Sequence, residues 1–242
     1  LPFDAAFAGQ SPDDFIQNVL LKGLGAKYVL VGDDFRFGAK RAGDYTMLDA
    51  AGQKLGFDVA RMMSYEVHGL RVSSSAVREA LSQGRMDDAG RLLGRPYSIS
   101  GHVVHGRKLG RELGATVPGK GDGFRTLNLR FSHWKSAASG IFAVEVHGLA
   151  STPLRGVANL GIRPSLDASD VNGGRVLLET HAFDWPESMA AALPGGEAYG
   201  KIVRVYLLHK LHDELKYDSL DALTQGIAKD CDDARTWFTA RI

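Results

Sequence analysis

GHVVHGRKLGRELGATVPGKGDGFRTLNLR, residues 101–130, concentrates glycine, basic side chains and two small polar residues as no other stretch of the chain does. Its glycines at 101, 106, 110, 114, 119, 121 and 123 let the backbone take positive φ and approach a ligand closely, which a residue bearing Cβ resists. Arg107, Lys108, Arg111 and Lys120 place positive charge beside those amides, a combination suited to a polyphosphate. The segment from Gly114 to Gly121 keeps P-loop spacing up to its last position, where Gly121 stands in place of the hydroxyl residue that holds magnesium. A P-loop also opens a helix, whereas Phe124 to Phe131 alternates as a strand does. The stretch therefore reads as an anion-binding loop that runs into a β-strand, and it sets the second half of the chain as a β fold.

Successive side chains of a strand point to opposite faces, so Thr126, Asn128 and Arg130 share one face and Leu127, Leu129 and Phe131 the other. A hydroxyl and a carboxamide two residues apart, directly after a basic glycine-rich loop, suit a hydrated magnesium ion and the nucleotide phosphates it bridges. A half-buried strand turning polar residues to water has the same pattern, and spacing alone does not separate the two.

From Leu93-Gly94-Arg95-Pro96 onward helical patterns give way to short strands: Tyr97 to Val104, Phe124 to Phe131, Gly140 to Val146, Val157 to Leu160, Arg175 to Phe183 and Lys201 to Leu208. Such a series, broken by glycine and proline turns, predicts a closed antiparallel barrel or a sandwich. A final amphipathic helix follows from Ser219, with Leu220, Leu223, Ile227, Cys231, Ala234 and Phe238 on its apolar stripe. Cys231 lies on that stripe, as a small buried residue and not a nucleophile.

The first half reads differently. Ser11, Pro12 and two aspartates open a helix with Phe15, Ile16, Val19 and Leu20 on its stripe. Ala26 to Val31 is a buried strand leading into a loop with Asp33 and Asp34, Asp44 caps a second helix closed by Gly56, and Phe57 to Met63 is another strand. Ser73, Ser74 and Ser75 then begin a helix with Arg78 a turn later, which is either a second anion site or ordinary capping. Strand alternating with helix predicts an open α/β layer with a parallel sheet, and the change of pattern places a domain boundary at 94, dividing the chain into 1–94 and 95–242.

The 242 residues suffice for two ordinary domains with real cores. Lys+Arg 29 against Asp+Glu 28 leaves a net charge of +1, which argues against nucleic acid as a main partner. One cysteine excludes an internal disulfide framework and a cysteine-rich zinc site, and points to a reducing cytoplasm. The sequence has no apolar run near 18 residues and no basic-then-apolar leader, so neither a membrane span nor a signal peptide is expected. The chain starts at Leu1 in what reads as mid-domain sequence, so further residues are expected upstream.

In the strand from Arg175 to Phe183, Leu177, Glu179 and His181 share a face. A carboxylate among apolar residues needs water, a partner or a task. Facing the same site as Thr126 and Asn128, Glu179 suits the base that takes a proton from an attacking hydroxyl; a salt bridge or strand-end carboxylate is the other reading. The tight turn with Asn159 and Gly161, and with Arg163 held by Pro164, suits a rigid wall for a ring-shaped substrate.

These residues carry a resemblance along the whole chain. Gly101 to Arg111, Thr126-x-Asn128, Gly156-Val-Ala-Asn-Leu-Gly-x-Arg-Pro164, Leu178-Glu179-x-His181 and Tyr199-Gly200 are similar, in order, to the riboflavin kinase module of the bacterial bifunctional riboflavin kinase and FAD synthetase family. Val31-Gly-x-Asp-Phe-x-Phe-Gly38 and the segment from Ser73 to Arg78 look like the later part of its nucleotidylyltransferase module. The resemblance implies a partial Rossmann-like α/β domain followed by an antiparallel β-barrel with a C-terminal helix. It implies magnesium and ATP phosphates at Thr126 and Asn128, and a flap over the nucleotide with Gly106, Lys108, Gly110 and Arg111. It makes Glu179 the base for the ribityl hydroxyl of riboflavin and turns Asn159, Gly161 and Arg163 toward the flavin. Asp33, Asp34, Ser73, Ser74 and Arg78 become half of an adenylyltransferase site. Substrates and products would be ATP, riboflavin, FMN and FAD.

The chain departs from the family pattern in three places. Ala115 to Gly123 is inserted before the Thr, Asn pair, with Arg125 in place of a proline. His212-Asp213-Glu214 stands where the family tends to have Arg-x-Glu. The His-x-Gly-His signature of the adenylyltransferase is absent from these residues, so kinase activity alone is expected of them. A flavin or nucleotide binding module without catalysis, and a small barrel that docks a protein, are the competing readings.

Overall fold

The computed structural model describes residues 1–67, 69–104, 126–130, 136–162, 176–185 and 198–241, with Arg130 and Ile162 described by backbone alone. The chain forms two compact units, Leu1–Arg71 and Val72–Ile242.

In the first unit a short helix α1 (Ala5–Ala8) precedes α2 (Pro12–Asp14), where the Ser11 hydroxyl accepts the Asp14 N–H at 3.1 Å. The helix then continues as a nine-residue π-helix, Phe15–Gly23, that buries Ile16 and Leu20. Strand β1 (Tyr28–Gly32) pairs in parallel with β2 (Asp58–Met62), Tyr28 opposite Asp58. Helix α3 (Tyr45–Leu55) crosses between them, capped by Asp44, whose carboxylate accepts the Met47 N–H at 3.0 Å, and stopped by Gly56 in the left-handed region. Ile16, Leu20, Val31, Phe37, Leu48 and Phe57 make the core. A two-residue hairpin, β3 (Glu66–Val67) and β4 (Leu70–Arg71), ends the unit. The parallel α/β layer read from the sequence is present.

The second unit opens with α4 (Ser74–Ser82), whose Ser73 hydroxyl accepts the Ala76 N–H at 3.1 Å, and α5 (Met86–Leu93). Helix α5 was not anticipated; Met86, Ala89 and Leu92 form its buried stripe at a spacing of three. Strands β5 (Ser98–Val104), β6 (Thr126–Arg130), β7 (Gly140–His147), β8 (Leu154–Ile162), β9 (Val176–Ala182) and β10 (Ile202–His212) follow, then helix α6 (Leu220–Thr239). The strands close into a barrel in the order β10-β5-β6-β9-β8-β7, with every pairing antiparallel. Closure decides between the two architectures that strand count left open.

The change of pattern near 94 marks where strands begin, but packing divides the chain between Arg71 and Val72. The reason is hydrophobic: Ala80 and Leu81 of α4 and Met86, Ala89 and Leu92 of α5 share one core with the barrel strands.

Alternation around the closed sheet fills the interior with Val103, Leu127, Leu129, Phe142, Val144, Leu160, Leu178, Val205 and Leu207, so the barrel is a packed core and not a vessel. On the outside, Ile141, Ala143 and Val157 are covered by Cys231, Ala234 and Phe238 of α6. Cys231 is fully buried there, as its place on the stripe predicts, while Leu220 in the first turn is exposed. Among the described residues no helix is long and apolar enough to cross a membrane.

Strands β8 and β9 approach so closely at Gly156 that a Cβ there would collide with the backbone carbonyl of His181. Gly156→Ala is therefore expected to destabilise the barrel by about 1–3 kcal/mol, the usual cost of overpacking, read as a lower midpoint in urea unfolding.

Candidate active site

The register of three neighbouring strands builds the site. Across β6 and β9, Asn128 faces Glu179 and Thr126 faces His181. Across β9 and β8, Glu179 faces Asn159, and His181 faces Val157. Residues directly opposite on adjacent strands lie on one face, so Asn128, Glu179 and Asn159 form a row with the carboxylate in the middle. Leu127, Thr180 and Ala158, one position along, point into the barrel. The row lies on the barrel's outer surface.

Outer residues of a small barrel are ordinarily wet, yet Asn128 is 5% exposed and Glu179 and Asn159 are half-buried. The Oδ1 atoms of both Asn128 and Asn159 are buried without a hydrogen-bond partner among the described residues. A buried acceptor left unpaired costs about 1–3 kcal/mol. Two such acceptors stand one on either side of the Glu179 carboxylate, where they could take a hydrogen-bond donor or a hard cation. Thr126 is exposed at the edge of the same face.

The rim beyond Asn159 comes from the strap that joins β10 to α6. Gly161 follows Asn159 on the same face of β8, and a Cβ there would collide with the Glu214 carboxylate. The strap is held at both ends. His212, the last residue of β10, contacts the Asp230 carboxylate through Nε2 at 2.8 Å and the Asp213 carbonyl through Nδ1 at 2.7 Å. Lys210 pairs with Asp213 at 2.5 Å, and the Tyr217 hydroxyl lies where any side chain at Gly226 would be.

In the first unit, Asp33 accepts from Arg71 at 2.8 Å and from the Ser64 hydroxyl, while Arg61 donates to its backbone carbonyl at 2.8 Å. The Ser64 hydrogen bond, with Arg71 and Arg61 nearby, holds the Asp33 carboxyl below its ordinary pKa despite some desolvation. Asp34 is exposed, 3.7 Å from Arg71. In the second unit, Ser73, Ser74 and Arg78 line a groove of about 1160 Å³ with Tyr97, Ile99 and His102. Ser73 is committed to capping, and Arg78 is exposed with no ion pair among the described residues.

The chain matches the riboflavin kinase family model over residues 93–238 and the FAD synthetase model over residues 1–76. It is 38% identical over 238 residues to a bifunctional riboflavin kinase/FMN adenylyltransferase of Haemophilus influenzae, covering 98% of this chain and 70% of that protein. The protein of the same description from Escherichia coli K12 is 41% identical, with 98% and 68% covered. The chain belongs to the bifunctional riboflavin kinase/FMN adenylyltransferase family. A solved structure from Streptococcus pneumoniae, described as a macrolide-efflux protein, superposes with a TM-score of 0.65 at 27% identity, covering 98% of this chain and 69% of that one.

In this member of the family the kinase match spans the barrel, α6 up to Phe238 and the whole Asn128, Glu179, Asn159 row. The fold brings Thr126, Asn128, Glu179, Asn159 and Gly161 onto one surface. Gly106, Lys108, Gly110, Arg111 and Arg163 lie outside the described residues, as do the insertion from Ala115 to Gly123 and Arg125. Asp230, which anchors the strap, was missed: an aspartate one residue before Cys231 carries no sign that a histidine 18 positions earlier reaches it.

Both ring nitrogens of His212 face acceptors, which only the doubly protonated imidazolium satisfies as donor. Burial alone would lower its pKa from 6.5, but the hydrogen bonds to Asp213 and Asp230 and the charge of Asp230 outweigh burial and raise it. A raised folded pKa gives a stabilisation that is complete below 6.5 and lost as pH climbs through the folded value. The difference in thermal midpoint between the parent chain and His212→Gln is thus expected to be largest at acid pH and to shrink on going alkaline.

Proposed function

We propose that this chain transfers the γ-phosphoryl group of ATP to the terminal ribityl hydroxyl of riboflavin, giving FMN and ADP, with Glu179 as general base. In the intact protein the amino-terminal module serves the adenylylation of FMN to FAD. The reading is carried by one observation: the Asn128, Glu179, Asn159 row, in register, with an unpaired buried oxygen on each side of the carboxylate.

The chemistry follows from that order. Glu179 accepts the proton of the ribityl hydroxyl as its oxygen bonds to the γ-phosphorus; the bond from that phosphorus to the bridging oxygen breaks and ADP leaves. Asn128 fits a magnesium ligand because its Oδ1 is a buried carbonyl-type oxygen without a donor, the kind of ligand a hard cation takes. Thr126, on the same face, would complete the protein's share of that site. Bound magnesium neutralises charge on the phosphates. On the other side of the base, Asn159 and Gly161 face the vitamin. Such a reaction belongs in the ATP-rich, reducing cytoplasm, where the buried thiol of Cys231 stays reduced.

Incubation with riboflavin, ATP and magnesium, followed by chromatography of the flavins, tests this. FMN is expected from the parent chain, and Glu179→Gln should lower kcat by about 10²–10⁴-fold while still binding riboflavin. Tight flavin binding by the parent chain without FMN would instead identify a binding module.

A second expected outcome separates the metal side from the base. Asn128→Ala should raise the magnesium concentration needed for half-maximal rate and leave riboflavin affinity without ATP unchanged. An unaltered magnesium dependence would remove Asn128 from the metal site.

A further inference from the structure

We infer that the groove between helix α5, the turn that follows it, strand β10 and the end of helix α6 binds an organic phosphate monoester: guanidinium groups take the phosphate, and apolar side chains take the body that carries it. The inference does not depend on the kinase reading.

The groove lies across the barrel from the candidate active site. In the ring β10-β5-β6-β9-β8-β7, strand β10 is three strands from β9 in either direction, and β9 carries Glu179. The groove's volume is about 640 Å³, within the roughly 300–1,000 Å³ of small-molecule sites. Among the described residues Arg91, Arg95 and Arg241 line it against one carboxylate, that of Asp87.

None of the three guanidinium groups is firmly held by the protein. Arg91 sits 3.3 Å from Asp88 and Arg241 3.4 Å from Asp87, both arginines being more than half exposed. Exposed pairs of this kind contribute little and exchange readily for a better acceptor. Arg95 has a 3.5 Å contact with the Ser98 hydroxyl and no ion pair among the described residues. A guanidinium fork matches the oxygens of a phosphate, and a cluster of three answers its double charge better than the single charge of a carboxylate.

Met86, Pro96, Leu208 and Trp237 give the groove its apolar side. The Trp237 ring is set before any ligand arrives: His209 stacks on it at 5.4 Å between centroids and 9° between planes, and the Arg241 guanidinium lies 4.4 Å from its centroid. A wall arranged in advance needs little ordering on binding. Gly90 is an independent sign. It stands inside α5, where glycine weakens a helix relative to alanine, yet a Cβ there would meet the Arg95 carbonyl at 3.8 Å and the Pro96 Cα at 3.9 Å, both ordinary contacts. Packing does not require the glycine; its bare backbone preserves the groove it lines.

Phenyl phosphate, a dianion at about pH 7.5, serves as the probe. Its binding is followed through the indole N–H resonance of Trp237, assigned by its loss in Trp237→Phe. That resonance should shift to saturation, and phenyl phosphate should bind at least about tenfold more tightly than phenol, phenylacetate or inorganic phosphate. These controls offer the ring alone, a ring with one charge, and the charge alone. Arg95→Gln and Arg241→Gln should each weaken binding by about five- to tenfold, between an exposed ion pair and a charge-assisted hydrogen bond. Asn128→Ala should leave it unchanged. An unmoved Trp237 resonance would overturn the inference, as would any control matching phenyl phosphate or an equal loss in Asn128→Ala.

Thermal unfolding supplies a readout apart from the probe's charge. Gly90→Ala should raise the midpoint of the ligand-free chain, since its Cβ has room, while weakening phenyl phosphate binding. A lower midpoint with unchanged binding would show that packing keeps this position bare, and would count against the site.

Discussion

Closure of the six-stranded sheet, with β10 bonded to β5 on one side and to β7 on the other, is the constraint on which the second unit depends. A closed sheet has no free edge, and its register repeats around the ring, so a residue's parity along its strand decides at once whether it lies in the core or on the surface. Leu127, Leu129 and Leu178 go inward because Asn128 and Glu179 go outward. A slip of one residue between β6 and β9 would place a carboxylate in the apolar interior.

That coupling makes the proposed chemistry a by-product of packing. The interior leucines anchor the register, and the register sets the spacing between Glu179 and each carboxamide. Helix α6 extends the same logic, covering Ile141, Ala143 and Val157 on the barrel's outer face. Its Asp230 reaches His212, the point where the chain turns from the barrel into the strap that carries Glu214 to the rim.

Packing also redraws the division of the chain. Helices α4 and α5 follow the α/β unit in sequence and resemble it in kind, yet their apolar stripes are buried against the barrel. The FAD synthetase match ends at residue 76, inside α4, and the riboflavin kinase match begins at 93, at the end of α5. The stretch between the two family matches thus lies in the barrel's compact unit.

Local order was legible because local physics writes it. Ser11, Asp44, Ser73 and Ser219 cap helices as their types predict, and period-2 alternation marked Thr126 and Asn128 against Leu127 and Leu129, and Glu179 against Leu178, before any partner was known. Family likeness, carried by short motifs, supplied the activity. What no single strand contains is its neighbour: that Glu179 stands between Asn128 and Asn159, that their oxygens are buried and unpaired, that Glu214 meets Gly161, and that α4 and α5 side with the barrel. These are contacts between segments from about 20 to 70 residues apart or more, decided by barrel closure and by burial of apolar stripes, and residue order along one strand carries no record of which strand will lie beside it.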